Sequence, residues 1–339
     1  MLEMMLRTDE PCSILIISNE HDIHLTSVIE RLQKWGFSIF RLNTENLFSK
    51  YKIHITYIND QIVGSIVNVV SGDIINIEDI KTIWERRPME PMNTFSPVGD
   101  EFLEIISVEQ KSFYRQFRHA LAHCRWIGNP LSDLRASSKI LQKSIAQKVG
   151  FMVPKTIITN NFDELKLFID ESRDYIVKPL KADSIQIDDD NQMVFYARKV
   201  TYSQLNLMSE IGFRNAPNYI QEYIEKKYEI RLTIVGDKAF AAKIDSNAML
   251  EGQGKEDWRE GYDFGVKFTE MQLDLKLINN CMAFLKELDL NFGCFDFIVN
   301  ENDDVFFLEC NSNGQWLWIE EDTKMDISGA IAEWLIMYE

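Results

Sequence analysis

Three polar side chains interrupt two apolar strands near the end of the chain, in "NFGCFDFIVNENDDVFFLECNSNGQW", residues 291–316. With a loop at Glu301–Asp304, Asn300 pairs with Val305, and a uniform register then sets Asp296 directly opposite Glu309. Side chains alternate along a strand, so Glu309 and Asn311 share one face. Two adjacent carboxylates destabilise a sheet unless something neutralises them. A hard cation does so, and Mg²⁺ prefers one or two carboxylates with an amide oxygen, water and phosphate. The competing reading is a polar strand end facing water, and a slip of one residue would separate Asp296 from Glu309.

Four other places carry groups suited to the same chemistry. Lys178 ends the apolar run "YIVKPL" just before a proline, where its ammonium either reaches a phosphate as a point charge or snorkels into water. Lys139 lies in the helical pattern "RASSKILQK", where the pattern alone reads as a solvated helix lysine, with Lys143 one turn later as its competitor. In "YIQEYIEKKYEIRLTIVG", Glu222, Tyr223 and Ile224 form a strand exit. Such an exit offers a backbone C=O and N–H to an adenine edge, with apolar neighbours covering the ring. Arg231, between Ile230 and Leu232, either pairs with a transferring phosphoryl group or forms an ion pair with Glu229.

Several elements must position these groups. "CSILIIS", "HLTSVIERLQKWG" and "FSIFRLN" read as strand, helix and strand, the start of a parallel sheet. "KIHITYINDQIVGSIVNV" reads as a hairpin turning at Asn59-Asp60, and "IKTIWERRP" as a strand stopped by Pro88. A long helix is predicted from about Gly99 to Trp126, followed by a break at "IGNPLSD" with Asp133 as a helix cap. One helix is predicted over "DLRASSKILQKSIAQKVG", and one strand over "MVFYARKV" after an acidic turn, Asp188-Asp189-Asp190-Asn191. "EIRLTIVGDKAFAAKID" reads as a hairpin turning at Gly236-Asp237. "SNAMLEGQGKEDWREGYDFG" reads as a loop, and "FLECNSNGQWLWIE" as the metal strand continued by aromatics. The expected units are 1–130, 131–217 and 218–339.

The 339 residues, 45% of them hydrophobic, suffice for a multi-unit core. No apolar run reaches the ~20 residues a bilayer requires, and the N-terminus lacks a signal-peptide layout. The five cysteines show no CxxC spacing, which points to reduced thiols in a cytoplasmic protein. A net charge of −17 repels nucleic acid and anionic membrane.

The order of these motifs carries a resemblance. A helix lysine, a "VKP" strand, an "EYI" exit, an "EIR" hairpin and a final "FDF…ECN" hairpin follow one another, and together they resemble the ATP-grasp superfamily over roughly residues 130–339. The N-terminal unit resembles the pre-grasp domain. The resemblance implies an α/β (α+β) ATP-grasp fold that binds ATP with two Mg²⁺ ions. It implies that Asp296, Glu309 and Asn311 ligate the metals and that Lys139 and Lys178 hold phosphates. Glu222, Tyr223 and Ile224 would hold adenine, and Glu229 would lie near the ribose. Arg231 would stabilise the γ-phosphate and acyl phosphate. One departure is the absence of glycine from "KADSIQIDDDNQMVFYAR", where many members close a Gly-rich loop.

"FRLNTENL", "IWERRP", the Asp257-Trp258-Arg259 motif and the aromatics after "ECN" narrow the resemblance to the graspetide synthetases, macrocyclases of the microviridin type. That resemblance implies phosphorylation of an Asp or Glu side chain in a ribosomal precursor peptide. Attack by Ser, Thr or Lys on the same peptide would then give an ester or amide ring. It places Arg259 near the substrate carboxylate or acyl phosphate and Asp188, Asp189 and Asp190 on a leader-peptide-binding element, against the plainer readings of a solvated loop and a solvated charged turn. A homodimer is the family expectation. A ligase that appends an amino acid, and a nucleotide-binding scaffold without turnover, stay open as alternatives.

Overall fold

The computed structural model describes residues 12–91, 99–181, 184–186, 192–246, 249, 255, 257–259 and 265–337. The first unit opens with β1 (Ile14–Ser18), α1 (His24–Lys34) and β2 (Ile39–Asn43). The apolar run of β1 is buried along its length, as a strand covered on both faces must be. A short α2 (Leu47–Lys50) leads into β3 (Tyr51–Ile58), β4 (Gln61–Asn68) and β5 (Ile74–Asn76), an antiparallel sheet. The β3–β4 turn falls where the sequence puts it: Asn59 and Asp60 both take positive φ, 48° and 63°, as a two-residue hairpin of this hand requires. Next come β6 (Thr82–Glu85), α3 (Asp100–Ala120) and β7 (Arg125–Ile127). The four-stranded sheet β2-β1-β6-β7 is parallel throughout. The expected helix to Trp126 thus overruns, because Arg125–Ile127 pairs with β6 as an edge strand.

The break after β7 is capped by Asn129, whose side chain accepts from the backbone N–H of Leu131 and Ser132. Asp133 lies inside α4 (Pro130–Ala136) and is not the cap. Instead of one helix there are two, because Ser138 caps a second, α5 (Lys139–Lys148), through the N–H of Leu141. The central unit continues with β8 (Thr156–Thr159), α6 (Phe162–Phe168), β9 (Asp174–Lys178), β10 (Ser184–Gln186), β11 (Gln192–Val194) and β12 (Arg198–Thr201). It closes with α7 (Tyr202–Asn206), α8 (Glu210–Arg214) and β13 (Asn218–Glu222). "MVFYARKV" is split rather than continuous: β11 pairs with β10, while β12 joins β9 in the antiparallel sheet β12-β9-β13-β8. β13, the first strand of the third unit in the sequence division, completes that central sheet. Asp188, Asp189 and Asp190 lie outside the described residues.

The third unit holds β14 (Tyr228–Val235), β15 (Lys238–Ile244), β16 (Phe268–Glu270), α9 (Leu275–Glu287), β17 (Phe292–Val299) and β18 (Val305–Asn311). Its antiparallel sheet runs β16-β15-β14-β17-β18. The stretch expected to prolong β18 is instead a helix, α10 (Leu317–Thr323), followed by α11 (Ile327–Ile336). Behind the sheet, Phe284, Phe295, Phe297 and Phe307 pack with Phe151, which stacks on Phe307 at 5.4 Å. Ile145 and Ala146 of α5 join this same core, so the helix bearing Lys139 is fixed to the third unit. α11 packs against α1, and the two share a core with β1 of the first unit. The five cysteines are free thiols. No described helix is long and apolar enough to cross a membrane.

Candidate active site

The closing hairpin places its polar groups through an irregularity. Val299 pairs with Val305 and Phe297 with Phe307, one residue out from the uniform register predicted above. A β-bulge at Leu308 absorbs the difference, and beyond it Asp296 faces Glu309 and Cys294 faces Asn311. Phe307 and Glu309 have the same parity and would share a face in a regular strand. The bulge sends Phe307 into the phenylalanine core and turns Glu309 and Asn311 with Asp296 toward a cavity of about 640 Å³.

That cavity lies between the central and third sheets. Lys178, the last residue of β9, lines it, as do Tyr223 and Ile224 just past β13. Glu222 is turned away, ion-paired with Arg173. Lys139, at the first position of α5, donates to the carbonyl of Pro179 at 2.8 Å. Lys143 instead is enclosed near Gln221 and the Phe307 carbonyl, where burial and the neighbouring Lys178 push its ammonium down to about 6. Among the described residues seven cations and four carboxylates line the cavity, so a protein of net charge −17 keeps one locally positive cleft. Such a field concentrates polyanions.

Each carboxylate is already engaged. Arg231 does not pair with Glu229. It sits opposite Asp296 in the β14–β17 register and grips both its oxygens, Nη1 lying 2.9 and 2.7 Å away. Its Nη2 donates to the Gln315 carbonyl at 3.0 Å. Burial drives the Asp296 carboxyl up and Glu309 adds to that, while Arg231 opposes both. Burial also acts against ionised Glu309, but Arg259, Lys178 and Lys139 together outweigh it and hold the carboxyl at about 2. Burial lowers the Lys178 ammonium to about 8, with Glu309 opposing and Lys139 reinforcing. Glu229 accepts from Lys226 and from the Ser246 hydroxyl, both on Oε1, which leaves Oε2 for a ligand. Arg259 is held by Asp257 through Nε at 2.8 Å and Nη2 at 2.6 Å, and its Nη1 lies 3.8 Å from Glu309. Trp258 anchors this motif against Phe268 and Trp318.

Two contributors escape sequence reasoning. Gln142 uses its amide like a strand partner: Nε2 donates to the Cys310 carbonyl and Oε1 accepts from the Cys310 N–H, both at 2.8 Å. It thereby clamps the residue between Glu309 and Asn311, one turn along α5 from Lys139. Arg86, almost fully buried, pairs with Asp22 at 3.1 Å and donates to the Gly314 carbonyl at 3.0 Å, tying the first unit to the loop after β18. The sequence signal for Gln142 is only an amide three residues past a lysine, and for Arg86 a charge within an apolar strand exit.

The donor set suits a nucleotide with Mg²⁺. Two carboxylates and an amide oxygen are the hard donors that ion takes, and the volume suits a ligand of nucleotide size. Residues 136–335 match the family model of the RimK-like ATP-grasp domain, and residues 13–134 that of the MvdD pre-ATP grasp domain. The chain is similar to a solved Chryseobacterium gregarium RiPP-associated ATP-grasp ligase in complex with ADP and a leader and core peptide. Identity is 28%, the TM-score is 0.86, and the match covers 95% of this chain and 96% of that one. The macrocyclase MdnC of Microcystis aeruginosa, bound with precursor peptide MdnA, shares the fold at 24% identity and TM-score 0.81, over 96% of this chain and all of that one. A tetrahydromethanopterin:alpha-L-glutamate ligase of Methanocaldococcus jannaschii is 23% identical over 209 residues, 60% of this chain and 67% of that protein.

Proposed function

The chain belongs to the RimK-like ATP-grasp family, and from that membership we propose that it is an ADP-forming macrocyclase of a ribosomal precursor peptide. The observation that carries this reading is the likeness to the C. gregarium ligase along nearly the whole of both chains, pre-grasp unit included. The proposed setting is the cytoplasm, with a homodimer as the assembly and a leader-bearing precursor as the partner.

The backbone at Glu222–Ile224 holds the adenine edge, and Glu229 the ribose. Lys139 and Lys178 hold the phosphates, and Arg231 and Arg259 offset charge where the phosphoryl group moves. Asp296, Glu309 and Asn311 hold Mg²⁺, two ions in this reading, which supplies Lewis-acid shielding of the phosphates. An Asp or Glu carboxylate oxygen of the peptide attacks the γ-phosphorus, the bond to the β-phosphate oxygen breaks and ADP leaves. A Ser or Thr hydroxyl, or a Lys amine, then attacks the carbonyl carbon of the acyl phosphate. Phosphate departs with the bonding electrons, and the nucleophile gives its proton to solvent or phosphate. Both reactants belong to one peptide, which raises their effective concentration, and the walled cavity limits hydrolysis of the acyl phosphate.

The test is incubation with ATP, Mg²⁺ and a short precursor encoded beside the gene. Each ring lowers the peptide mass by one water, with ADP as co-product. ADP release with unchanged peptide mass refutes the reading. A product heavier than the peptide favours an appending ligase, the activity that the M. jannaschii relative's name describes.

A further inference from the structure

Residues 312–315 follow β18 and line the cavity. Their backbone is the seat of Arg231. The Gln315 carbonyl accepts from Arg231 Nη2 at 3.0 Å, and a Cβ on Gly314 would meet that same nitrogen at 2.9 Å. The Gly314 N–H donates to the Asn311 carbonyl at 3.2 Å, which closes the turn. Arg231 cannot keep its place if this backbone moves. What fixes the backbone is therefore part of how the site is built.

Asn313 is held at both ends of its amide. Arg86 Nη1 donates to Asn313 Oδ1 at 3.4 Å and to the Gly314 carbonyl at 3.0 Å. Asn313 Nδ2 donates to Asp133 Oδ2 at 3.5 Å. Both partners are fixed by other means. Arg86 is paired with Asp22, their side chains 1% and 3% exposed. Asp133 sits within α4, which Asn129 caps. Burial raises the Asp133 carboxyl to about 6, against hydrogen bonds from Ser312 and Asn313 and the charge of Arg118, so at pH 8 it is an ionised acceptor. Arg86 offers only donors and ionised Asp133 only acceptors. The flipped amide would set N–H against N–H and oxygen against oxygen. An alanine at this position would answer neither partner, and an aspartate only Arg86.

We propose that Asn313 is a positioning residue for phosphoryl transfer: its amide, gripped between Arg86 of the first unit and Asp133 of α4, sets the Gly314–Gln315 backbone that seats Arg231. This deepens the proposed function and rests on it for the role of Arg231 at the γ-phosphate. The first unit then acts on the nucleotide without touching it. Its arginine orients an amide, the amide orients a turn, and the turn holds the guanidinium.

Exchanging the two side chains tests this. Asn313→Asp sets two carboxylates against each other at about pH 8. Adding Asp133→Asn gives Arg86 an acceptor again and restores a donor facing an acceptor between the pair. Without nucleotide, Asn313→Asp should lower the melting temperature by about 2–6 °C, and the exchanged protein should regain most of that. Calorimetry with Mg²⁺ reads the seat of Arg231. The wild type is expected to bind the ATP analogue AMPPNP more tightly than ADP. Asn313→Asp and Asn313→Ala should each cut that preference by about tenfold, the loss of a hydrogen bond to a charged group, and the exchanged protein should recover it. ADP affinity should be the same in all four proteins, which also reports that the variants are folded. An exchanged protein that melts no higher than Asn313→Asp overturns the pairing. Melting that recovers without the preference, an unchanged preference in Asn313→Ala, or no preference in the wild type overturns the link to Arg231. Ring formation is scored separately on the same preparations. Recovery by exchange alongside a wild type that closes no ring supports the positioning role while refuting the macrocyclase reading.

Discussion

Replacing Arg231 with methionine strips the cation from a buried carboxylate. The Arg231 side chain is 4% exposed and that of Asp296 10%, so water cannot take over the lost partner. Breaking a buried pair from one side costs about 3–5 kcal/mol, and loss of the bond to the Gln315 carbonyl adds about 1 kcal/mol. Arg231→Met should therefore lose about 4–6 kcal/mol by urea unfolding in EDTA at about pH 8. The loss should depend on pH in a known direction. Burial already raises the Asp296 carboxyl, and without Arg231 it rises further above its unfolded value near 3.9. The folded variant then keeps a proton that the unfolded chain releases. Its stability relative to wild type is level until the pH reaches the wild type's own raised folded pKa and falls from there toward the variant's higher one, by at most about 1.4 kcal/mol per pH unit. Adding Asp296→Asn removes the stranded charge, so the double variant should regain at least ~2 kcal/mol and lose the pH dependence. A single variant within ~1 kcal/mol of wild type at about pH 8, or one with no pH dependence, would refute the account of this pair.

Two further outcomes follow from the same geometry. A Cβ on Gly314 would lie 2.6 Å from Cys294 Cβ and 2.9 Å from Arg231 Nη2. Gly314→Ala should therefore cost about 1–3 kcal/mol in unfolding assays and slow ATP turnover by roughly tenfold or more by displacing Arg231; wild-type turnover would show that the loop yields freely. Lys178 must be charged to hold a phosphate, and burial lowers its ammonium to about 8. Calorimetric ADP affinity should then be level below that pH and fall by up to about tenfold per pH unit above it. Lys178→Met should bind more weakly at neutral pH and lack the decline, and a decline that survives the substitution assigns it to another group.

Much of this site is legible in the sequence wherever a short-range rule governs. Asn59-Asp60 and Gly236-Asp237 mark hairpins because the turn chemistry is local, and both hairpins pair as their turns dictate. Lys178 ends β9 because Pro179 cannot continue the ladder. What long-range pairing decides is not legible. Arg125–Ile127 is too short to show a period and is a strand only because β6 offers an edge. "MVFYARKV" reads as one strand, but its two ends find partners in different sheets. The Asp296–Glu309 pair is predicted from a register that fails nearer the turn, and it stands because the bulge at Leu308 restores it.

That bulge explains why the pair can exist at all. An unbroken strand would oblige Phe307 and Glu309 to face the same way, leaving either a buried carboxylate in the phenylalanine core or a phenylalanine in a charged cleft. Gln142 removes the remaining freedom by occupying the Cys310 backbone groups, so α5 and β18 form one packed body that carries Lys139 together with Glu309 and Asn311. Lys178 and the strand exit at Tyr223 belong to the other body, the central sheet. Lys139 and Lys178, the lysines proposed to hold phosphates, thus stand on opposite walls, joined across the cleft by the Lys139 bond to the Pro179 carbonyl. A polyanion between those walls would be gripped from both. The free energy of binding it would accordingly depend on the distance between the sheets, and not only on the residues that touch it.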